Sequence, residues 1–163
     1  MEISEIHIKT FFGKNSDYYF DKWNEYKNGR IISFRPFAFL FGLFWFLYRK
    51  MYREGLLMGL LILIEGIIEE YILTDIFNIQ EGDRKGFDLI IIILIAAFSG
   101  MFGNYIYMKS SERKIKKILS TDLSEEEKMK KLEGTGGTSW IFFIVVLAII
   151  GTIICLINLF EIE

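Results

Sequence analysis

The sequence is short of the residues on which most soluble chemistry is built. It holds one cysteine, one proline and one histidine in 163 residues. A lone Cys155 cannot close an intramolecular disulfide, so the chain is no disulfide-stapled scaffold. A lone His7 leaves no His-rich metal centre and no Ser/His/Asp set, and no metal cluster with ligand spacing is present. No catalytic residue, metal or cofactor is therefore expected, and the protein reads as a non-enzyme. Excess positive charge is missing as well. The net charge is −2, which argues against nucleic acid as a partner. A charged lead precedes the first apolar run near Phe37, with no short apolar core and cleavage site, so no signal peptide is expected.

What the chain has is grease in blocks. It is 52% hydrophobic and 17% aromatic. The apolar residues gather in runs of membrane length rather than at amphipathic spacing. The expected fold is an all-α integral membrane protein with three transmembrane helices, a short aromatic interfacial or re-entrant helix, and a small cytosolic N-terminal element. The expected spans are 55–73, 87–108 and 140–160, with an external loop at 74–86 and a cytosolic basic loop at 109–139.

The N-terminal element covers 1–35. Glu5 to Phe12 alternates weakly, like a short extended piece. Asn15 or Ser16 can cap a helix carrying Tyr19, Trp23 and Tyr26 at i, i+4 and i+7, with Asn28-Gly29 as its stop. That aromatic face can pack within the protein, on the bilayer or on a partner. The stretch 36–54 follows. Its aromatic run, including Trp45 and Tyr48, stops abruptly at Arg49, Lys50 and Arg53. Pro36 to Tyr48 would make a helix of roughly 20 Å, too short for a hydrocarbon core of roughly 30 Å. It can lie flat at the interface or dip and return, and a full span through Met51-Tyr52 is the remaining alternative.

Basic residues are unevenly placed. Residues 1–54 carry nine Lys/Arg and the stretch after Met108 carries eight, while the loop between the first two spans has only Arg84 and Lys85. The positive-inside rule then expects a cytoplasmic N-terminus and an external C-terminus.

Candidate sites follow from this layout. Glu65 would lie near mid-membrane, with Glu69 one turn beyond, and Ser99 and Thr152 at matching depth. Such a constellation suits a proton or cation site, or hydrogen bonds that hold helices together. Arg113, Lys114, Lys116 and Lys117 form a juxtamembrane basic run suited to anionic lipid or to ordinary anchoring. Ala96 with Gly100, Ser99 with Gly103, and Gly55 with Gly59 are small-residue pairs that let helices approach, within one chain or in a homo-oligomer. Ser124 and Glu127 match a capping box. Gly134 to Ser139 lacks the lysine and spacing of a phosphate loop and reads as a flexible turn.

Several separated pieces resemble a family of small bacterial membrane proteins catalogued as domain of unknown function 2628. They are Gly13-Lys-Asn-Ser-Asp-Tyr-Tyr19 with Lys22-Trp23, Phe37-Ala-Phe39, Trp45-Phe-Leu-Tyr-Arg-Lys-Met-Tyr52, Gly103-Asn-Tyr-Ile-Tyr107 and Gly136-Gly-Thr-Ser139. The resemblance implies a bacterial inner-membrane protein and carries no activity or active site.

The functional expectation is an accessory or regulatory membrane protein that binds membrane lipid, or another membrane or cytosolic protein, through its cytosolic face. The alternative is a small oligomeric transporter or channel built on Glu65.

Overall fold

The computed structural model describes residues 3–79 and 84–141, together with residues 144, 148, 151 and 152. Every regular element among them is helical. They are α1 (Glu5–Phe12), α2 (Ser16–Lys27), α3 (Pro36–Phe41), α4 (Leu43–Tyr48), α5 (Tyr52–Tyr71), α6 (Lys85–Leu119) and α7 (Glu125–Thr135), with a π-helical turn at Ile72–Ile76 after α5.

The expected three spans are not found. Among the described residues, one helix is long and apolar enough to cross a membrane, the 35-residue α6. The span expected at 55–73 is a helix, but Arg53, Glu54, Glu65, Glu69 and Glu70 interrupt its apolar composition. Most of the span expected at 140–160 lies outside the described residues, which include 140, 141, 144, 148, 151 and 152 of it. The span expected at 87–108 is longer than expected, because α6 runs on through the basic stretch to Leu119.

The first segment also differs from expectation. Glu5 to Phe12 is a helix rather than an extended piece. Its Ile8, Phe11 and Phe12 fall at i, i+3 and i+4 and bury one face, a period the weak alternation concealed. His7 serves this helix start: its Nδ1 accepts from the Ser4 backbone N–H at 3.3 Å. The α2 helix begins and ends where its cap and stop residues predict. So does the capping box of α7, where the Glu127 N–H donates to Ser124 Oγ at 3.3 Å and the Ser124 N–H donates back to Glu127 Oε2 at 2.9 Å.

The C-terminal half of α6 is the axis of a packed end. Phe12, Tyr19, Trp23, Trp45 and Tyr107 meet there, with Phe12 stacked on Tyr19 at 5.1 Å between centroids and edge-on to Tyr107 at 5.4 Å. Ile115, Ile118, Leu119 and Leu132 continue the core toward α7. The segment after α7 closes this end. The Gly137 N–H donates to the Phe11 carbonyl at 2.9 Å, and a Cβ on Gly136 would lie 1.8 Å from that same oxygen. Only glycine fits there.

The aromatic run is not one short helix. It breaks at Gly42, whose φ of 43° suits glycine, into two six-residue helices. Pro36 opens the first, at a position where its missing N–H is no loss. The chain enters along α6: the Ser33 N–H donates to the Met101 carbonyl at 3.1 Å and the Arg35 N–H to the Gly100 carbonyl at 2.8 Å. The pair then wedges between α6 and α5. A Cβ on Gly100 would meet Phe39 at 2.8 Å, and one on Gly103 would meet Ala38 at 2.9 Å. On the other side a Cβ on Gly55 would meet Leu47 at 2.7 Å. The small residues expected to bring spans together thus receive the aromatic wedge instead.

Two ion pairs tie α5 to α6 in antiparallel sense, Glu54 with Arg113 near the packed end and Glu70 with Arg84 at the far end. Between these clamps the helices are bare. Leu56, Leu61, Leu63 and Ile67 on α5 are each at least 64% exposed, and Leu89, Ile92 and Leu94 on α6 are more than half exposed.

Candidate functional site

The basic residues that close the aromatic run and those that end α6 lie more than 60 positions apart in sequence. The fold brings them to one place. Lys50 and Arg53 stand at the start of α5. Arg113, Lys114 and Lys117 stand on α6, where with Ser110 they occupy i, i+3, i+4 and i+7, one helical face. Together they line a cavity of about 660 Å³, whose wall also includes Tyr52, Glu54, Gly134, Thr135, Ser139 and Ile141. Five cations face one carboxylate, Glu54, so the cavity has a surplus of four positive charges.

Its walls are braced from within the protein. The Lys50 ammonium donates to the Gly134 carbonyl at 2.9 Å, and the Lys114 ammonium donates to the Lys50 carbonyl at 2.7 Å. The Ser139 N–H donates to the Tyr48 carbonyl at 2.8 Å, which pins the glycine-rich segment as a wall. Burial lowers the pKa of Lys114. Glu54 opposes that shift, and Arg113 and Lys50 add to it. Arg113 donates to Glu54. Arg53 and Lys117 are exposed and have no partner among the described residues. The arrangement can hold an anion. Fixed cations supply the field, and Ser110, Thr135 and Ser139 bring hydroxyl groups to the same lining.

Lys116 points elsewhere. It pairs with Glu112 at 2.8 Å, and Glu112 also accepts from Lys27 at 2.6 Å and from the Tyr26 hydroxyl at 2.7 Å. Burial raises the Glu112 pKa, but these three donors outweigh it and hold the carboxyl at about 2. Burial together with the bond to Glu112 pushes Tyr26 up to about 12.

Arg49, four residues before Arg53, has the opposite environment. It is 5% exposed, and its guanidinium lies 4.2 Å from the Tyr19 ring and 4.6 Å from the Tyr107 ring. The Arg35 Nη2 donates to the Tyr19 hydroxyl at 3.1 Å. Burial pushes the Tyr19 phenol up, and the two guanidiniums oppose that. Arg49 therefore belongs to the core and not to a lipid-facing clamp.

The aromatic residues singled out in the sequence divide in the same way. Tyr19, Trp23 and Trp45 are buried in the core and unavailable to a partner. Tyr26 and Tyr48 are half-buried, and Tyr48 lies edge-on to Trp140 at 5.1 Å. Glu65 and Glu69 are half-buried on α5. The Ser99 hydroxyl donates to the Ile95 carbonyl at 2.9 Å and Thr152 to the Ala148 carbonyl at 2.8 Å, so both close on their own helical turn rather than on Glu65. Among the described residues no group of His, Cys, Asp and Glu is placed to hold a metal. Glu54 and Ser110 were not singled out by sequence reasoning, and of the two only Ser110 carried a signal, its i−3 and i−4 spacing to Arg113 and Lys114. Thr135 and Ser139 fall in the 134–139 stretch read as a flexible turn, which the Ser139 bond to Tyr48 instead pins.

Most of this architecture, from Ile8 to Arg113, coincides with the span of one family model, described as Protein of unknown function (DUF2628) and matching residues 8–113. The chain belongs to this family. The DUF2628 match takes in the aromatic wedge and most of α6, and it ends at Arg113 within the basic cavity. The cavity walls at Lys114, Lys117 and 134–139 lie beyond it. No curated protein and no solved structure matches the chain.

Proposed function

We propose that this protein is a non-enzymatic accessory protein of the bacterial inner membrane, which recognises anionic lipid through a basic cavity on its cytosolic side. The observation that carries this reading is the cavity's position. It opens where the apolar part of α6 gives way to its basic end, the depth at which headgroups meet a membrane helix. Two features support it. Only 22% of the most apolar stretch of α6 is buried, unlike the core helix of a soluble protein. The outer face of the aromatic wedge is also bare, with Phe37, Leu40 and Phe41 each more than half exposed beside that stretch.

The same reading gives a topology. We infer that α6 crosses the bilayer with α1, α2 and α7 on the cytoplasmic side, the side the basic-residue asymmetry favours.

Lipid retention tests the function. In nanodiscs of phosphatidylcholine with a minor share of phosphatidylglycerol, native mass spectrometry of the ejected protein should show phosphatidylglycerol retained well beyond its bulk share. The double substitution R53A/K117A should bring retention back to the bulk ratio. Retention at the bulk ratio by the unaltered protein rejects the reading. Topology is tested by thiol labelling in a C155S background. A cysteine from Asn24→Cys should react only from the cytoplasmic face and one from Asn78→Cys only from the other. Reaction of both from one face rules out this crossing.

A further inference from the structure

The charge and length of the cavity narrow what it takes. Along α6 the lining runs from Ser110 to Lys117, about 10 Å at the helical rise of 1.5 Å per residue. Cations stand along that whole length and not around one point. Lys117 is one turn beyond Arg113, and Arg53 stands across from them at the start of α5. One phosphodiester carries a single negative charge and would leave most of a four-charge surplus unanswered. Unanswered like charges in a partly enclosed site repel, a cost that a ligand with more charge relieves. Burial lowers the pKa of Lys114, and the neighbouring Arg113 and Lys50 charges add to that shift.

The lip of the cavity has a different character from its floor. Tyr52 and Ile141 belong to the lining and are 52% and 68% exposed, next to the bare Leu56 of α5. An apolar lip over a basic floor suits a molecule with a charged head and hydrocarbon tails. Glu54 completes the arrangement. It is the only acid in the lining and it occupies Arg113. A weak anion has to compete with a carboxylate already in place, whereas a doubly charged one has the charge to replace it. Glu54 thereby selects against ligands with one phosphate.

We propose that the cavity binds a headgroup bearing two phosphates, spaced to lie along the Ser110–Lys117 face, with one phosphate displacing Glu54 from Arg113. This inference rests on the lipid-binding reading above and specifies the ligand of that site.

The test uses the full chain in a neutral detergent, with native mass spectrometry reading bound ligand. The probes are cardiolipin, which has two phosphates, phosphatidylglycerol at twice the concentration so that total charge is matched, and inorganic diphosphate. Cardiolipin is expected to bind at least tenfold more tightly than phosphatidylglycerol. R53A and K117A should each cut that preference severalfold, and Glu54→Gln should narrow it by raising phosphatidylglycerol binding. Equal binding of the two lipids overturns the two-phosphate inference and leaves the lipid reading standing. Diphosphate binding as tight as cardiolipin keeps the two-phosphate chemistry but makes the ligand soluble, which overturns the lipid reading. Binding by none of the three overturns both. Because Arg53 and Lys117 are exposed, their substitution should leave the thermal melting of the protein unchanged. A preference that survives both substitutions places the ligand elsewhere and rejects the site.

Discussion

The two halves of α6 keep different company. From Gly103 to Leu119 the helix is packed by α1, α2, α4 and α7, and Tyr107, Met108, Ile115 and Leu119 are all nearly inaccessible. From Phe87 to Phe98 it is bare, and so is most of the α5 helix clamped alongside. The same residue types, Ile, Leu and Phe, serve at both ends. What differs is how much of that surface the protein itself covers. In the packed end apolar surface leaves water by folding onto itself. In the bare arm it stays uncovered, which is the distribution the proposed membrane reading draws on. Size belongs with the packed end: Phe12, Tyr19 and Trp23 fill space between elements there. Small residues belong at the seam, where Gly55, Gly100 and Gly103 admit the aromatic wedge.

The largest expected effect breaks this contrast directly. Phe12 is fully buried against four other aromatic rings, so Phe12→Ala should destabilise by about 3–5 kcal/mol. Leu61→Ala on the bare arm removes comparable apolar bulk from a side chain 64% exposed, and should change stability by less than about 0.5 kcal/mol. Denaturant titration in micelles, followed by tryptophan fluorescence, reads both. Equal effects would mean that the arm is packed in the same sense as the core.

Gly136→Ala sharpens the picture of the packed end. Its Cβ would fall on the Phe11 carbonyl, a backbone atom that cannot swing aside. The loop would have to leave α1 and lose the Gly137 bond as well. A loss of about 3 kcal/mol is expected, and a melting temperature unchanged from the natural sequence would refute the contact. Gly100→Ala probes the seam. There the neighbours are the Phe39 and Phe34 side chains, which can give, so a smaller loss of about 1–2 kcal/mol is expected. Gly66→Ala is its control, since nothing lies within 4 Å of that position, and it should be neutral or slightly stabilising.

Much of the local structure was legible, and for local reasons. The Ser124–Glu127 capping box and the Asn28-Gly29 stop of α2 depend on neighbours within a few residues, whereas the break at Gly42 was not expected in a run read as one short helix. The α1 helix was misread because its period of 3.6 was hidden beneath a short apparent alternation. The number of spans was misread because length and greasiness were weighed above the five charged residues of α5. Of the small-residue pairs, Gly55, Gly100 and Gly103 lie at close approaches, while Gly59 meets only Leu43 at 4.0 Å. Their occupant was not legible, because nothing in the spacing of Gly100 and Gly103 names Phe39 or Ala38, some 60 positions upstream. The cavity has the same history. Lys50 and Arg53 were read as one clamp and Arg113 to Lys117 as another, and only tertiary contact makes them one site. The separation of Arg49 from Arg53 is a matter of helix phase and a turn, for which the run of basic residues gave no sign.

The smallest expected effect concerns how the packed end is fastened to α6. Glu112 holds α2 through Tyr26 and Lys27, and its carboxyl sits at about 2 in the folded protein. A depressed carboxyl stabilises the fold where it is ionised in both states, above its ordinary value near 4.5. That contribution disappears as pH falls from about 4.5 through about 2, because the unfolded chain then takes up a proton that the folded chain refuses. Lys27 and Lys116 are largely exposed and screened by water, so the net contribution should be about 1 kcal/mol. Other carboxyls are lowered too, Glu125 by its bond to Lys128 and Glu127 by its bonds to Ser124. The comparison that isolates Glu112 is therefore with Glu112→Gln, which keeps the shape and removes the titration. At pH 7 the variant should be less stable by about 1 kcal/mol, and the gap should close as pH approaches 2. A gap that stays constant across that range would mean that packing of the side chain, rather than its charge, fastens α2 to α6.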